Sequence, residues 1–376
     1  MRILVTGGAG FIGSNLTYEL LKNNHEVTIL DNFLNKIHGS NKNLHSDLKS
    51  KVRLIKGDVT DKKTLFDALR NQQAVIHLAA ETGTGQSMYE ISNYTKVNVL
   101  GTSLICDFII NEKNTLETVV VASSRSIYGE GKYKSNKHGI VYPKSRTYKN
   151  IFTSFEVKCP ISNEYNLKLM ATDEDSKIQP SSFYGITKQV QEQMISLACN
   201  LKNINSFSLR YQNVYGPGQS LNNPYTGILS IFTRLALKNE EINIFEDGKE
   251  SRDFVYIDDV VNATYKCLLS NKKGQFILNI GSGIPTSVLE VANKIVLHLN
   301  SDSKINVSGV FREGDIRHNY ADLNNVKSVL NFNPKWSFHD GIKIFLDWVL
   351  SQNSIPKDNL DFKKSINELK LKGFLK

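Results

Sequence analysis

Arg2-Ile3-Leu4-Val5-Thr6-Gly7-Gly8-Ala9-Gly10-Phe11-Ile12-Gly13 decides the reading of this chain. Residues 2–6 form a short apolar run, and Phe11, Ile12, Leu16 and Leu20 follow it at helical spacing. The pattern is strand, glycine turn, helix. Gly7, Gly10 and Gly13 permit a tight turn and a close approach of a pyrophosphate to the helix N-terminus, where free N–H groups favour an anion. A glycine motif of this kind is weak evidence alone, but here the strand before it and the helix after it supply the required context. A second strand, residues 26–30, ends in Asp31. Its carboxylate can accept from both hydroxyls of an adenine ribose and would repel a 2′-phosphate. No Arg follows closely, so the expected cofactor is NAD rather than NADP.

The pattern then repeats. Residues 52–56 read as a strand followed by Gly57-Asp58-Val59-Thr60-Asp61. Asp58 and Val59 are placed to border the adenine, and Thr60 or Asp61 to cap the helix 62–70. Residues 74–78 make a fourth strand, and a polar, glycine-rich loop follows at 79–87, a candidate ligand contact. Val97, Leu100, Leu104 and Phe108 mark a long helix that carries Asn98, and residues 118–122 make a fifth strand. Strands alternating with helices imply an α/β fold, a doubly wound parallel sheet covered on both faces. Ligands bind such sheets at the carboxyl ends of the strands. The glycine turn, Asp31, the 81–87 loop and Ser123-Ser124 would gather there.

Tyr184 and Lys188 stand four residues apart, one turn on the same helix face. A phenol ionises near pH 10, and a neighbouring ammonium favours the phenolate. Such a Tyr can serve as a general base, with Ser124 holding the same substrate oxygen. Ser181 or Ser182 is expected to cap this helix, which runs to about Asn200. Residues 130–179 break the rhythm and, without clear elements, read as a functional excursion or a partly disordered segment. Beyond the strand 206–210, regular alternation ends. Helix 228–237, strand 242–245 and a helix entered at Asp258-Asp259 belong to a second unit. Arg252 and Arg312, each near glycines, are placed to grip a diphosphate with charge-assisted bonds. The Lys-rich tail 351–376 reads as a peripheral helix or a frayed end.

Composition narrows the class. With 376 residues, 40% of them apolar and 22% charged, the chain has the composition of an ordinary soluble globular protein with ample core. Cys106, Cys159, Cys199 and Cys267 lie far apart, which argues against a metal site or disulfide framework and fits a reducing cytoplasm. The first strand leaves no room for a signal peptide, and no apolar run approaches the roughly 18 residues of a membrane span. The formal charge of +9 is scattered, without a basic block. It suits an anionic small substrate better than nucleic acid.

With these residues in view, the chain resembles the extended short-chain dehydrogenase/reductase family, in particular its NAD-dependent nucleotide-sugar epimerases and dehydratases. The resemblance spans roughly residues 1–350 and rests on ordered motifs: the glycine turn, Asp31, Asp58-Val59, Ser124, Tyr184-x-x-x-Lys188, Arg210-Tyr211-Gln212-Asn213-Val214-Tyr215-Gly216-Pro217-Gly218, Gly248-x-x-x-Arg252-Asp253-Phe254, and Arg312-Glu313-Gly314-Asp315. It implies a Rossmann domain over 1–210 with an insertion at 130–180, a smaller nucleotide-sugar domain over 211–350 and a tail at 351–376. It implies Ser124, Tyr184 and Lys188 as the catalytic triad. Gly7, Gly10, Phe11, Ile12, Gly13, Asp31, Asn32, Asp58, Val59, Leu78, Ala79, Ala80, Asn98 and Tyr211 are then expected around NAD. Thr82, Gly83, Asn213, Arg252, Arg312 and Asp315 are expected at the substrate, and the assembly is expected to be a homodimer through helices near 93–111 and 182–200. The loop 77–90 and the insertion after Gly129-Glu130-Gly131 are similar to a branch with dTDP-L-rhamnose 4-epimerases. Dehydratases of the family follow the catalytic Thr with Asp-Glu; Arg125 and Ser126 stand there instead and cannot do carboxylate chemistry. The expected activity is 4-epimerisation, ahead of reduction, decarboxylation or dehydration.

Asp31 makes NAD the preferred dinucleotide. Titration with both cofactors should give a tighter complex with NAD, and tighter NADP binding would refute the assignment.

Overall fold

A computed structural model describes residues 1–39, 43–151, 154–221, 227–352 and 360–376. Seven strands build one sheet: β1 (Arg2–Thr6), β2 (Glu26–Asp31), β3 (Arg53–Lys56), β4 (Ala74–His77), β5 (Thr118–Ser124), β6 (Asn205–Tyr211) and β7 (Gln275–Ile280). Their order is β7-β6-β5-β4-β1-β2-β3, and every pairing is parallel. Chain order reverses between β1 and β4, which opens a crevice at their carboxyl ends. The helices that bear on function are α1 (Phe11–Lys22), α2 (Lys62–Leu69), α3 (Gly101–Asn111), α4 (Phe183–Leu201) and α5 (Ile257–Leu269).

Strand periodicity sorts the core into two halves. Ile3 and Val5 point to the layer holding Leu16 of α1 and Val260 of α5. Leu4, between them, joins Leu65 of α2, Ile105 of α3 and Ile195 of α4. Local signals set the helix starts. Asp61 caps α2 by accepting from Thr64 N at 2.7 Å, and Ser182 caps α4 by accepting from Gly185 N at 3.2 Å.

The strand β7 comes from within residues 211–350, the stretch expected to stand apart as a second domain, and α5 packs on α1. The two units are interleaved along the chain. The remainder of that stretch forms small sheets: Asn213–Tyr215 beside Ser251–Tyr256, which pairs with Pro285–Ser287 and His318–Asn319, and Ile242–Ile244 beside Ile305–Val307.

One expectation is corrected. The insertion after Gly129 does contain regular elements. Tyr133–Ser135 lies antiparallel between Gly139–Val141 and Leu167–Leu169, over a small core of Tyr133, Val141, Val157 and Cys159. Ion pairs tie it to Glu246 and Arg317, in the stretch 211–350. Arg146 donates to Glu130 Oε1 at 3.1 Å and to Glu246 Oε2 at 2.8 Å, and Arg317 donates to Glu246 Oε2 at 2.9 Å and to Glu156 Oε1. Periodicity was weak because each of these strands is only three residues long, too short for an alternating pattern to show. Of the two alternatives for the tail, the described residues take the packed helix. Residues 353–359 of that stretch lie outside the described residues. Beyond them, helix Leu360–Leu371 leads to a strand-like end. Phe311 and Lys376 exchange backbone bonds at 2.7 and 2.9 Å, and Tyr89 Oη donates to Glu368 at 2.9 Å. Among the described residues no helix is long and apolar enough to cross a membrane.

Arg317 is fully buried among Glu246, Glu156 and Asp247. Removing one partner of a buried charge cluster strands the others, so Arg317→Met should destabilise by about 3–5 kcal/mol. Denaturant unfolding measures this, and a loss of under about 1 kcal/mol would show that the acids find other partners.

Candidate active site

A cavity of about 340 Å³ lies in the crevice at the carboxyl ends of the strands. Gly7, Gly10, Phe11, Ile12, Gly13, Asp31, Asn32, Asp58 and Val59 line one end. Ser124, Tyr184, Lys188 and Tyr211 line the other, with Leu78, Ala79, Ala80 and Thr82 along the wall between. The glycines are there for space: a Cβ on Gly13 would stand 2.4 Å from Gly7 O, and one on Gly7 2.8 Å from Ala79 N. No side chain caps α1, so its first-turn N–H groups face the cavity. Asp31 is held by backbone donors, Ala9 N at 3.0 Å and Phe33 N at 2.8 Å. Asp58 accepts from Asn32 Nδ2 at 2.9 Å and from Thr60. An uncapped helix end, a glycine cradle and a fixed acid in one groove fit a dinucleotide such as NAD.

Ser124 ends β5, and its hydroxyl lies 2.9 Å from that of Ser126. Tyr184 opens α4 next to it. Burial raises the Tyr184 pKa above the ordinary phenol value, while a hydrogen bond from Ser124 and the charge of Arg125 pull it down. Lys188, expected to tune this base, has its Nζ 5.9 Å from the centre of the Tyr184 ring. Lys188 Nζ donates to Ala122 O and to Gln191 Oε1, both at 2.8 Å, and burial pulls its pKa down to about 7.

A buried polar chain sets the position of α4. Thr6 Oγ1 lies 2.7 Å from His77 Nδ1, and His77 Nε2 lies 3.1 Å from Thr102 Oγ1. Gln191 Nε2 donates to Thr102 at 2.7 Å and completes the link to Lys188. Burial, with Lys188 nearby, pushes the His77 pKa down to about 3. A second anchor is Glu192, which takes both Arg210 Nε and Nη2, at 3.0 and 2.9 Å, and the Ser123 hydroxyl. Asn98 belongs to this support and does not line the cavity as expected. Fully buried in a π-helical turn, Thr95–Leu100, it accepts from Glu81 N at 2.8 Å and donates to Thr187 Oγ1 at 3.0 Å. It locks the 81–87 loop to the Tyr184 helix.

Of the residues expected at the substrate, Thr82 lines this cavity, whereas Gly83, Asn213, Arg252, Arg312 and Asp315 are not part of its lining. Arg252 Nη2 and Arg312 Nη2 donate to opposite oxygens of Asp315, at 3.0 and 2.9 Å. Burial opposes the Asp315 charge, but Arg312, Arg252, Arg146 and Arg125 together hold its carboxyl well below the usual range. The two arginines are thus arranged around an internal anion. Asn213 accepts from Arg125 Nε at 2.7 Å. Gly83 has φ +103°, and its carbonyl, like that of Thr82, accepts from Tyr94 Oη.

Several residues of the site escape a reading by motif. Glu81 lines the cavity and pairs with Lys36, and His38 stands 3.5 Å from Asp31 Oδ1. Gln212, Val214, Gln219 and Ser220 also line it. The only signal for Gln212 was its place between Tyr211 and Asn213. Glu81 was marked only as part of the 79–87 loop and Val214 only as part of the 210–218 motif, and nothing local marked His38, Gln219 or Ser220.

The sequence pattern of the NAD dependent epimerase/dehydratase family matches residues 3–150 and 163–281. A dTDP-L-rhamnose 4-epimerase of Burkholderia thailandensis is 38% identical over 93% of this chain and 95% of its own. A UDP-N-acetyl-alpha-D-glucosaminuronate decarboxylase of Bacillus cytotoxicus is 31% identical over 92% and 97%. The structure of MoeE5 in complex with UDP-glucuronic acid and NAD superposes with a TM-score of 0.74 at 28% identity, covering 93% of this chain and 99% of that one. By pattern, relatives and structure together, the chain belongs to the NAD dependent epimerase/dehydratase family.

Proposed function

We propose that this chain is a NAD-dependent nucleotide-sugar 4-epimerase that works through a transient 4-keto sugar. The observation that carries the reading is the meeting of Ser124, Tyr184 and Lys188 at one end of a dinucleotide-shaped cavity, with Arg125 and Ser126 in the two positions after Ser124. Relatives named for dTDP-L-rhamnose and MoeE5 with UDP-glucuronic acid support a nucleoside-diphosphate hexose as substrate. NAD would be held by the α1 N-terminus and Asp31, with Lys188 at its ribose. Bound there, it supplies the hydride acceptor and donor.

Tyr184 takes the proton of the C4 hydroxyl, and Ser124 holds the same oxygen. Ser124 and Arg125 favour the phenolate that this step needs. With no carboxylate at Arg125 or Ser126, water is not eliminated from the keto sugar. The sugar turns and takes hydride on its other face, and Tyr184 returns the proton. The diphosphate must stay anchored meanwhile, the part assigned to Asn213, Arg252 and Arg312.

We also propose a homodimer in the cytoplasm. Four free cysteines accord with a reducing compartment. Leu197 and Leu201 on α4 are 62% and 64% exposed, and Leu100, before α3, is 42% exposed, an apolar face suited to a second copy. Light scattering at micromolar concentration should give twice the monomer mass; a monomer would refute the dimer.

Nucleotide sugar deuterated at C4 should give its C4 epimer with deuterium retained and no net use of NADH. Tyr184→Phe should slow the same conversion by about 10²–10⁴-fold while NAD stays bound. Loss of water or carbon dioxide, or one NADH consumed per sugar, would move the chain to another branch of the family.

A further inference from the structure

Arg125 follows Ser124 directly and opens the 3-10 turn Arg125–Tyr128, against which α4 packs. Its Nε is tethered to Asn213 Oδ1 at 2.7 Å. Its Nη1 is buried and has no hydrogen-bond partner. The arginines nearby are all matched: Arg146 with Glu130 and Glu246, Arg252 and Arg312 with Asp315, Arg317 with Glu246 and Asp247. Among the described residues no carboxylate pairs with Arg125.

The acids in its field are already committed. Asp315 is shared by Arg252 and Arg312. Asp253 accepts from Ser282 N at 2.7 Å, Gly283 N at 3.0 Å and Ala321 N at 3.1 Å. Burial, reinforced by Arg252, pulls the Arg125 pKa down to about 9, against the pull of Asp315, Asp253 and Tyr184. A guanidinium donor enclosed without an acceptor carries a desolvation cost that an arriving acceptor relieves. Its place in the chain says which acceptor. Arg125 is adjacent to the group that holds the reacting oxygen and acts on the Tyr184 phenol, whereas Arg252 and Arg312 converge on Asp315.

We propose that Arg125 is a specificity-determining residue whose guanidinium donates to an oxygen of the substrate's hexose, on the edge between the reacting carbon and the diphosphate. It discriminates among sugars at the ring, while recognition of the nucleoside diphosphate lies elsewhere. The inference rests on the nucleotide-sugar reading above.

Calorimetric titration of the NAD-loaded protein with dTDP-L-rhamnose against dTDP, and with UDP-glucose against UDP, separates the possibilities. For whichever nucleotide sugar the unaltered protein binds, Arg125→Met should weaken binding by about 10-fold or more, as expected for a lost charge-assisted bond. The matching bare diphosphate should change by less than about 2-fold. Arg125→Lys, which keeps the charge and most of the bulk, should show the same contrast in smaller measure, and it carries the test if the Met variant does not fold. An equal loss for sugar nucleotide and bare diphosphate would assign Arg125 to the diphosphate and overturn the proposal. Unchanged affinity for both would overturn it too. Failure of the unaltered protein to bind either nucleotide sugar, with bare diphosphates also silent, would remove the nucleotide-sugar reading and this inference with it.

Discussion

The close approach of α1 to the end of β1 is the constraint on which the rest of the structure depends. With Gly7 O only 2.4 Å from where a Gly13 Cβ would be, the first helix turn can lie against the strand end only as bare backbone. That contact leaves the α1 N-terminus uncapped and directed at the crevice. It also sets the side of the sheet on which Asp31 and Asp58 meet it. A helix end with its donors free costs stability unless something polar faces it. The fold therefore carries a built-in preference for an anion at the switch point, before any side chain is considered.

A second constraint acts on α4. Its Tyr and Lys are useful only at a set distance from β5, and the helix is held there by buried polar groups rather than by apolar packing alone. Gln191 reaches the His77–Thr102 pair, and Glu192 is clamped by Arg210 and Ser123. Apolar contacts tolerate a slide of a helix along its axis, whereas directional bonds between buried groups do not. The same burial that fixes Lys188 also pulls its pKa down, while Ser124 and Arg125 favour the Tyr184 phenolate.

The insertion and the C-terminal tail both hold the segment that carries Arg312 and Asp315. Glu130 at the start of the insertion accepts from Arg317 N at 2.7 Å, and the last residues of the chain pair with Phe311 and Glu313, flanking Arg312. The Arg312–Asp315 loop is thus held from two directions by segments far from it in sequence. Its arginines are pre-positioned around Asp315, so a ligand phosphate there would replace an existing anion's share of charge rather than order free side chains.

The amino-acid sequence by itself determined six strands of the sheet, the cofactor type and the four-residue step that brings Tyr184 and Lys188 to Ser124. These depend on short-range signals: glycines at fixed offsets, an acid at a strand end, a four-residue step on a helix, and alternating apolar runs. Each of these is a local steric or hydrogen-bonding demand, visible without the rest of the chain. Only the tertiary structure decided the identity of the neighbours. It returned β7 to the main sheet from beyond residue 210 and removed Asn98 from the cavity wall. It turned Arg252 and Arg312 toward Asp315, ordered the insertion through Arg146 and Arg317, and left Arg125 without a carboxylate. Charge pairing and desolvation depend on distances between residues tens to hundreds of positions apart, and those distances exist only once the chain has folded.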